Sequence, residues 1–324
     1  MQGNISSEFQ YQPPVSLREV FLPPARSFSM TKLSPYAGAA VLFVGSILLG
    51  WRALSATFAL ATLREEYTHI LLIIPVAAAL LALDWRSFKV SFSSGVKIGS
   101  LLLAAAALLG MVVHWKSLSL APDVELSLGM IALVTWWIGS FVLCFGAVAA
   151  RKELFPLVFL YWLVPWPQFL LDDIVAWLQL ESAISARALF ALSRTPVTLD
   201  GLSLLLPGLT LNVAPECSSI RSSLFLIVTT VIFAHLFLHS YWRKTAVLAV
   251  AILLSPLKNG LRIFTIGFLT VRVNPTYLTG RLHRDGGVVF LAIAQAVVFA
   301  ALSILWRGEQ RYRMRIANHP VDPG

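Results

Sequence analysis

Charge is what this sequence has least of. Only 13% of its 324 residues are Asp, Glu, Lys or Arg, against roughly a quarter in soluble proteins. A chain so poor in charge cannot keep most of its surface in water, which excludes the ordinary soluble classes. Cysteine is almost as scarce, and two residues, Cys144 and Cys217, give no disulfide framework. No spacing of the HExxH or paired CxxC kind occurs, so no metal and no other cofactor is expected. Acidic residues number 16 against 25 basic ones. That excess does not make a nucleic-acid surface, because the basic residues sit in short segments between apolar runs.

What is present is apolar. The hydrophobic set makes up 57% of the chain, and runs near or above about 18 residues recur, where a spanning helix needs about 20. The expected fold is therefore an all-α polytopic membrane protein. Its eight spanning segments lie at roughly 36–54, 69–85, 97–115, 125–149, 153–166, 218–240, 245–271 and 286–306. The loops orient them. Arg86 and Lys89 follow the second segment, Arg151 and Lys152 the fourth, Arg243 and Lys244 the sixth, and Arg307, Arg311, Arg313 and Arg315 the eighth. Basic exits face the cytoplasm, which predicts both termini there and places Arg64-Glu65-Glu66, Asp123 and Glu125 outside.

Three regions follow. Residues 1–33 are polar and hold Pro13, Pro14, Pro23 and Pro24, the composition of a disordered cytoplasmic tail. Residues 34–306 form one integral domain, and 307–324 a basic cytoplasmic tail. Between the fifth and sixth spans, residues 167–216 carry Asp172, Asp173, Glu181, Arg187, Arg194 and Asp200, too many charges to span. Apolar positions at helical spacing over 169–192 predict one or two interfacial helices on the outer face. Val197 to Val213, rich in turn and β-branched residues, predicts a short hairpin.

That hairpin leads into Pro215-Glu216-Cys217-Ser218-Ser219-Ile220-Arg221. At the start of a helix, a thiol gains from the dipole and unpaired N–H groups, which favour a thiolate. Arg221, four residues on, would share its face. The external loop before the last span carries His283, at the same expected membrane level. Pro256-Leu257-Lys258-Asn259-Gly260-Leu261-Arg262 interrupts the seventh span with charge, and Pro256 with Gly260 predicts a break or kink there. A charge in that position costs about 2.5–3.5 kcal/mol at a helix centre on insertion scales, so Arg262 is a functional candidate. A thiol, an imidazole and a guanidinium on one side of the membrane are the groups that acyl transfer through a thioester requires. His114, His235 and His239, near span ends, and Cys144, within an apolar run, read as structural residues.

Glu216-Cys217-Ser218-Ser219-Ile220-Arg221-Ser222, then Asn259-Gly260-Leu261-Arg262, then His283, resemble the motifs of the exosortase/archaeosortase family. Tyr67-Thr68-His69 and Leu163-Val164-Pro165-Trp166-Pro167 are similar to its segments as well. The family usually has Gly at the positions of Ser219 and Ile70. The resemblance implies a cysteine transpeptidase or thiol protease of the cytoplasmic (inner) membrane of a bacterium, with its site on the outer, periplasmic side. Cys217 would be the nucleophile, Arg262 a second catalytic residue and His283 the proton carrier, with Arg221, Asn259 and Glu216 in support. Its partners would be exported proteins ending in a sorting signal of the PEP-CTERM-like kind: a short motif, a spanning helix and a basic cluster. Membrane lipids would surround it.

Two other functions fit the same residues. A transporter or envelope-polymer export component also uses an interrupted span with a buried arginine, although its ionisable groups would gather nearer mid-membrane. A lipid or acyl transferase would use Cys217 as an S-acyl carrier.

Overall fold

A computed structural model of the chain describes residues 35–84, 92–114, 120–213, 220–278 and 286–318. The expected 1–33 tail, Glu216, Cys217 and His283 lie outside the described residues. The described residues are mostly helical, with one small sheet among them. Among the described residues, seven helices are long and apolar enough to cross a membrane, and one bent pair adds an eighth candidate.

The bent pair comes first. Helix α1 (Pro35–Leu49) and α2 (Trp51–Leu63) meet at Gly50 at 72°. Both run along α5 (Pro122–Phe145), held by Trp137 Nε1 donating to Ser46 Oγ at 2.8 Å and Trp136 Nε1 donating to the Leu42 carbonyl. The first span, expected at roughly 36–54, is thus bent at Gly50, and the apolar pair extends to Leu63. A 3₁₀ turn, Glu65–Tyr67, leads into α3 (Ile70–Asp84). Helix α4 (Phe92–His114) lies antiparallel on α5. Their approach is close because it uses glycines: a β-carbon at Gly95 would collide with the Val142 carbonyl, and one at Gly99 with Leu143. Small residues at such contacts are how membrane helices gain packing without a hydrophobic driving force.

Helix α5 begins with Pro122, with Asp123 and Glu125 in its first turn, where the dipole favours carboxylates. It ends near α6 (Ala147–Lys152), whose last residues are Arg151 and Lys152. The fifth crossing is not one long helix. It consists of α7 (Leu154–Phe159), a 3₁₀ turn (Leu160–Leu163) and the connecting 164–167. At about 1.5, 2.0 and 3.3 Å per residue these reach roughly 30 Å, enough to cross. The far end is pinned beside the start of α5: Ser127 Oγ donates to the Pro165 carbonyl at 2.7 Å, and Tyr67 OH to that of Trp166 at 2.9 Å. Pro165 and Pro167 lack the N–H needed to carry a helix through.

Helix α8 (Gln168–Leu192) is a single helix of 25 residues. It meets the length and composition of a span, yet its contacts keep it at one end of the molecule. The Gln168 N–H is bound by Asp123 Oδ2 at the start of α5. Its later residues pack on the second half of α10 (Tyr241–Arg272). The hairpin expected after it is a three-stranded antiparallel meander, β1 (Thr198–Asp200), β2 (Ser203–Leu206) and β3 (Leu209–Asn212). Gly201 and Gly208, at φ +58° and +76°, make its two tight turns. Helix α9 (Ile220–Phe237) then runs back, α10 returns, and α11 (Gly287–Asn318) closes the bundle. Residues 307–318 continue that last helix.

The two ends of the bundle differ. The basic end holds Arg151, Lys152, Arg243, Lys244 and Arg307. There the buried Glu309 accepts the His239 and Ser240 N–H groups at 3.2 Å and lies 3.9 Å from Arg243. The distal end gathers Glu65, Asp123, Trp166, the start of α9 and Arg262. The main core lies between α2, α3, α5, the fifth crossing, α8 and α9, around Ile70, Met130, Val134, Leu163, Leu178 and Leu224.

Candidate active site at the distal end

Helix α10 supplies the polar residues of this site. The sequence predicts an interruption at Pro256 and Gly260, but the helix runs unbroken through both. Pro256 removes one N–H without ending the helix, which neighbours on both sides support. Gly260 serves a different purpose. A β-carbon there would stand 2.5 Å from Ser185 Cβ, 3.0 Å from the Ala186 nitrogen and 3.0 Å from the Ser182 carbonyl. The glycine lets α8 and α10 touch backbone to backbone.

That contact fixes Asn259, which is fully buried and donates through Nδ2 to Ser182 Oγ at 3.0 Å. One residue earlier, Lys258 is only 5% exposed. Its Nζ lies 2.6 Å from Ser222 Oγ and 3.4 Å from Ser223 Oγ, both in the first turns of α9. A buried amine needs hydrogen-bond partners, and these two hydroxyls supply them. Arg262, four residues on and on the same face, is half buried. Its Nη1 lies 3.9 Å from the point where a β-carbon on Gly287 would stand. The guanidinium therefore borders the first turn of α11, four residues after His283 in sequence.

Arg221 stands at the second position of α9. Its Nη1 is 3.8 Å from Glu65 Oε1, with the two side chains 55% and 78% exposed. A pair so open to solvent contributes about 0–1 kcal/mol. Beneath this surface, His69 is buried, with Nδ1 3.2 Å from the Glu66 carbonyl and its ring edge-on to Trp162. Its Nε2 has no hydrogen-bond partner among the described residues.

The segment that carries Cys217 is bracketed on both sides. Val213 is buried, and its carbonyl accepts from Gln179 Nε2 of α8 at 2.7 Å while its N–H donates to the Leu202 carbonyl. Ile220 is buried in the main core. Of the candidates read from sequence, the structure brings Arg262 and Asn259 onto one helix beside the start of α9. It sets Arg221 apart, facing Glu65. Cys217, Glu216 and His283 are outside the described residues, so their distances from Arg262 are not given. Among the described residues, no three His, Cys, Asp or Glu side chains come together as metal ligands.

Lys258 is a site residue that the motif pattern does not single out. Its signal in the sequence is a basic residue in an apolar helix one turn before Arg262. Among the described residues, Lys258, Arg262 and Arg221 lie around the first turns of α9, with Glu65 facing Arg221.

The family model for transmembrane exosortases matches residues 61–300. The chain belongs to that family. The match runs from the end of α2 into α11, so it takes in the Cys217 segment, Asn259 to Arg262 and His283. Searches of curated proteins and of solved structures return no match. With its several apolar helices, the chain is a multi-pass membrane protein of the exosortase family.

Proposed function

We propose that this exosortase is a cysteine transpeptidase or protease that cleaves the C-terminal sorting signals of exported proteins at the outer face of the cytoplasmic membrane. The Cys217 thiolate would attack the scissile carbonyl, and Arg262 would stabilise the oxyanion of the tetrahedral intermediate. His283 would deliver a proton to the leaving amine. The resulting thioester would pass to an amine-bearing acceptor or to water. The substrate's helix would lie against the bundle, with its basic cluster on the side of Arg151, Lys152 and Lys244 by the rule that orients this chain.

One observation carries this reading. Lys258 and Arg262 face the first turn of α9 and the first turn of α11, the two elements that directly follow Cys217 and His283. The test is Cys217→Ala in cells producing the chain and a secreted protein with such a signal. Processing should stop while the membrane level of the enzyme is unchanged. Normal processing would end the thioester mechanism.

A second reading rests on the 2.6 Å hydrogen bond between Lys258 and Ser222. A lysine amine against a serine hydroxyl is the arrangement of Ser–Lys hydrolases, in which the neutral amine is the base and the hydroxyl donates to it. Ser222 would then be the nucleophile. Processing that survives Cys217→Ala but is lost in Ser222→Ala would select it.

A further inference from the structure

The basic end holds a groove that the proposed chemistry does not use. It has a volume of about 460 Å³ and opens between α7, the end of α9 and the start of α10. Its composition is graded. Arg151, Lys152 and Lys244 stand at the loop side, and Leu154, Val158 and Leu248 line the part that runs along the bundle. The lining includes a stacked pair, with the rings of Phe155 and His235 parallel at 3.7 Å. Leu154 and Val158 are 58% and 51% exposed.

Three cations and no carboxylate are among the described lining residues. The nearby Glu309 is held by Arg243 and two backbone N–H groups and also attracts Lys244 from outside the lining. Charge above and hydrocarbon below fit a phosphate joined to an acyl chain. We propose that this groove binds an anionic phospholipid, with its phosphate at Arg151, Lys152 and Lys244 and one chain along Leu154, Val158 and Leu248. Basic pockets between helices are where such headgroups bind. A free phosphate would use only the upper half, and the apolar half would stay unfilled.

The experiment uses the full chain in bilayer nanodiscs of phosphatidylcholine containing a minor fraction of phosphatidylglycerol. Native mass spectrometry counts the lipid that stays bound on release. Phosphatidylglycerol should be enriched over its bulk fraction, and Arg151→Gln and Lys244→Gln should each lower its affinity by about fivefold. Leu248→Trp, which fills the apolar half without changing charge, should also reduce retention. Thermal melting of each variant in pure phosphatidylcholine separates folding from binding. Retention equal to bulk, or unchanged in all three well-folded variants, would overturn the proposal. So would inorganic phosphate displacing the lipid completely while Leu248→Trp has no effect, since that marks a free-phosphate site.

Discussion

The two ends of the bundle both hold cations against apolar surroundings, and they hold them differently. At the basic end Arg243 donates to the Leu305 carbonyl at 2.9 Å and sits beside the carboxylate of Glu309. Its charge is largely cancelled locally, and the arrangement ties α11 to the α9–α10 turn. At the distal end the partners of Lys258 are two serine hydroxyls. The hydroxyls satisfy the hydrogen bonds of its Nζ without fixing its charge, whereas Glu309 holds Arg243 in a charged pair. A cation paired with an anion of the chain is kept for architecture. An amine held by neutral groups can change protonation with what arrives beside it.

The largest test of that contrast is Arg262→Ala. It should remove processing by at least about a hundredfold, the scale of a lost oxyanion donor, with melting temperature nearly unchanged. Arg307→Gln, an exposed charge of the basic end, should leave processing as it was. Equal losses in both would erase the distinction. Next is Gly260→Ala, where the new β-carbon meets Ser185 and backbone of α8. It should destabilise the purified protein by about 1–3 kcal/mol. Gly110→Ala, with nothing within 4 Å of its β-carbon, should be neutral or gain up to about 1 kcal/mol. Thermal melts in one detergent compare them.

Lys258→Met is subtler, because a buried charge replaced by an apolar residue of similar volume is often neutral for stability. Processing should fall roughly tenfold to a hundredfold while the melt holds. Full activity in that variant would make Lys258 an architectural residue after all. The smallest effect belongs to Glu65 and Arg221. A double-mutant cycle with Glu65→Gln and Arg221→Gln should give a coupling under about 1 kcal/mol, since both groups are exposed.

Much of the crossing pattern was legible because burial in lipid writes long apolar runs and loop charge directly into the chain. The alternation of basic and mixed loops matches the two ends of the bundle. Other features left weaker marks. The bend at Gly50 lies within an apolar stretch, where a change of direction alters no composition. The fifth crossing gave the right length but not its form, because Pro165 and Pro167 specify where a helix stops rather than how the chain continues. Pro207-Gly208 marks the second turn of the meander, yet the composition of 197–213 suggests only one hairpin. In the site, Gly260 has the sequence signature of a breaker. A glycine that weakens a helix and a glycine that admits a neighbour are identical in sequence, and only the partner helix tells them apart. Lys258 was overlooked because its serine partners lie about 36 residues earlier, on another helix.

Helix α10 carries Lys244 near one end and Arg262 about 18 residues further along, a separation of roughly 27 Å at about 1.5 Å per residue. It is close to the thickness of the hydrocarbon layer, about 30 Å. On the proposed function, the helix would act as a ruler. With Arg262 at the cutting level, a client whose tail is held at the inner surface would be cut only when its own membrane segment has a matching count of residues. Selection among clients would then rest on length as well as on the motif read, and a client helix shortened by two turns would present the wrong peptide bond.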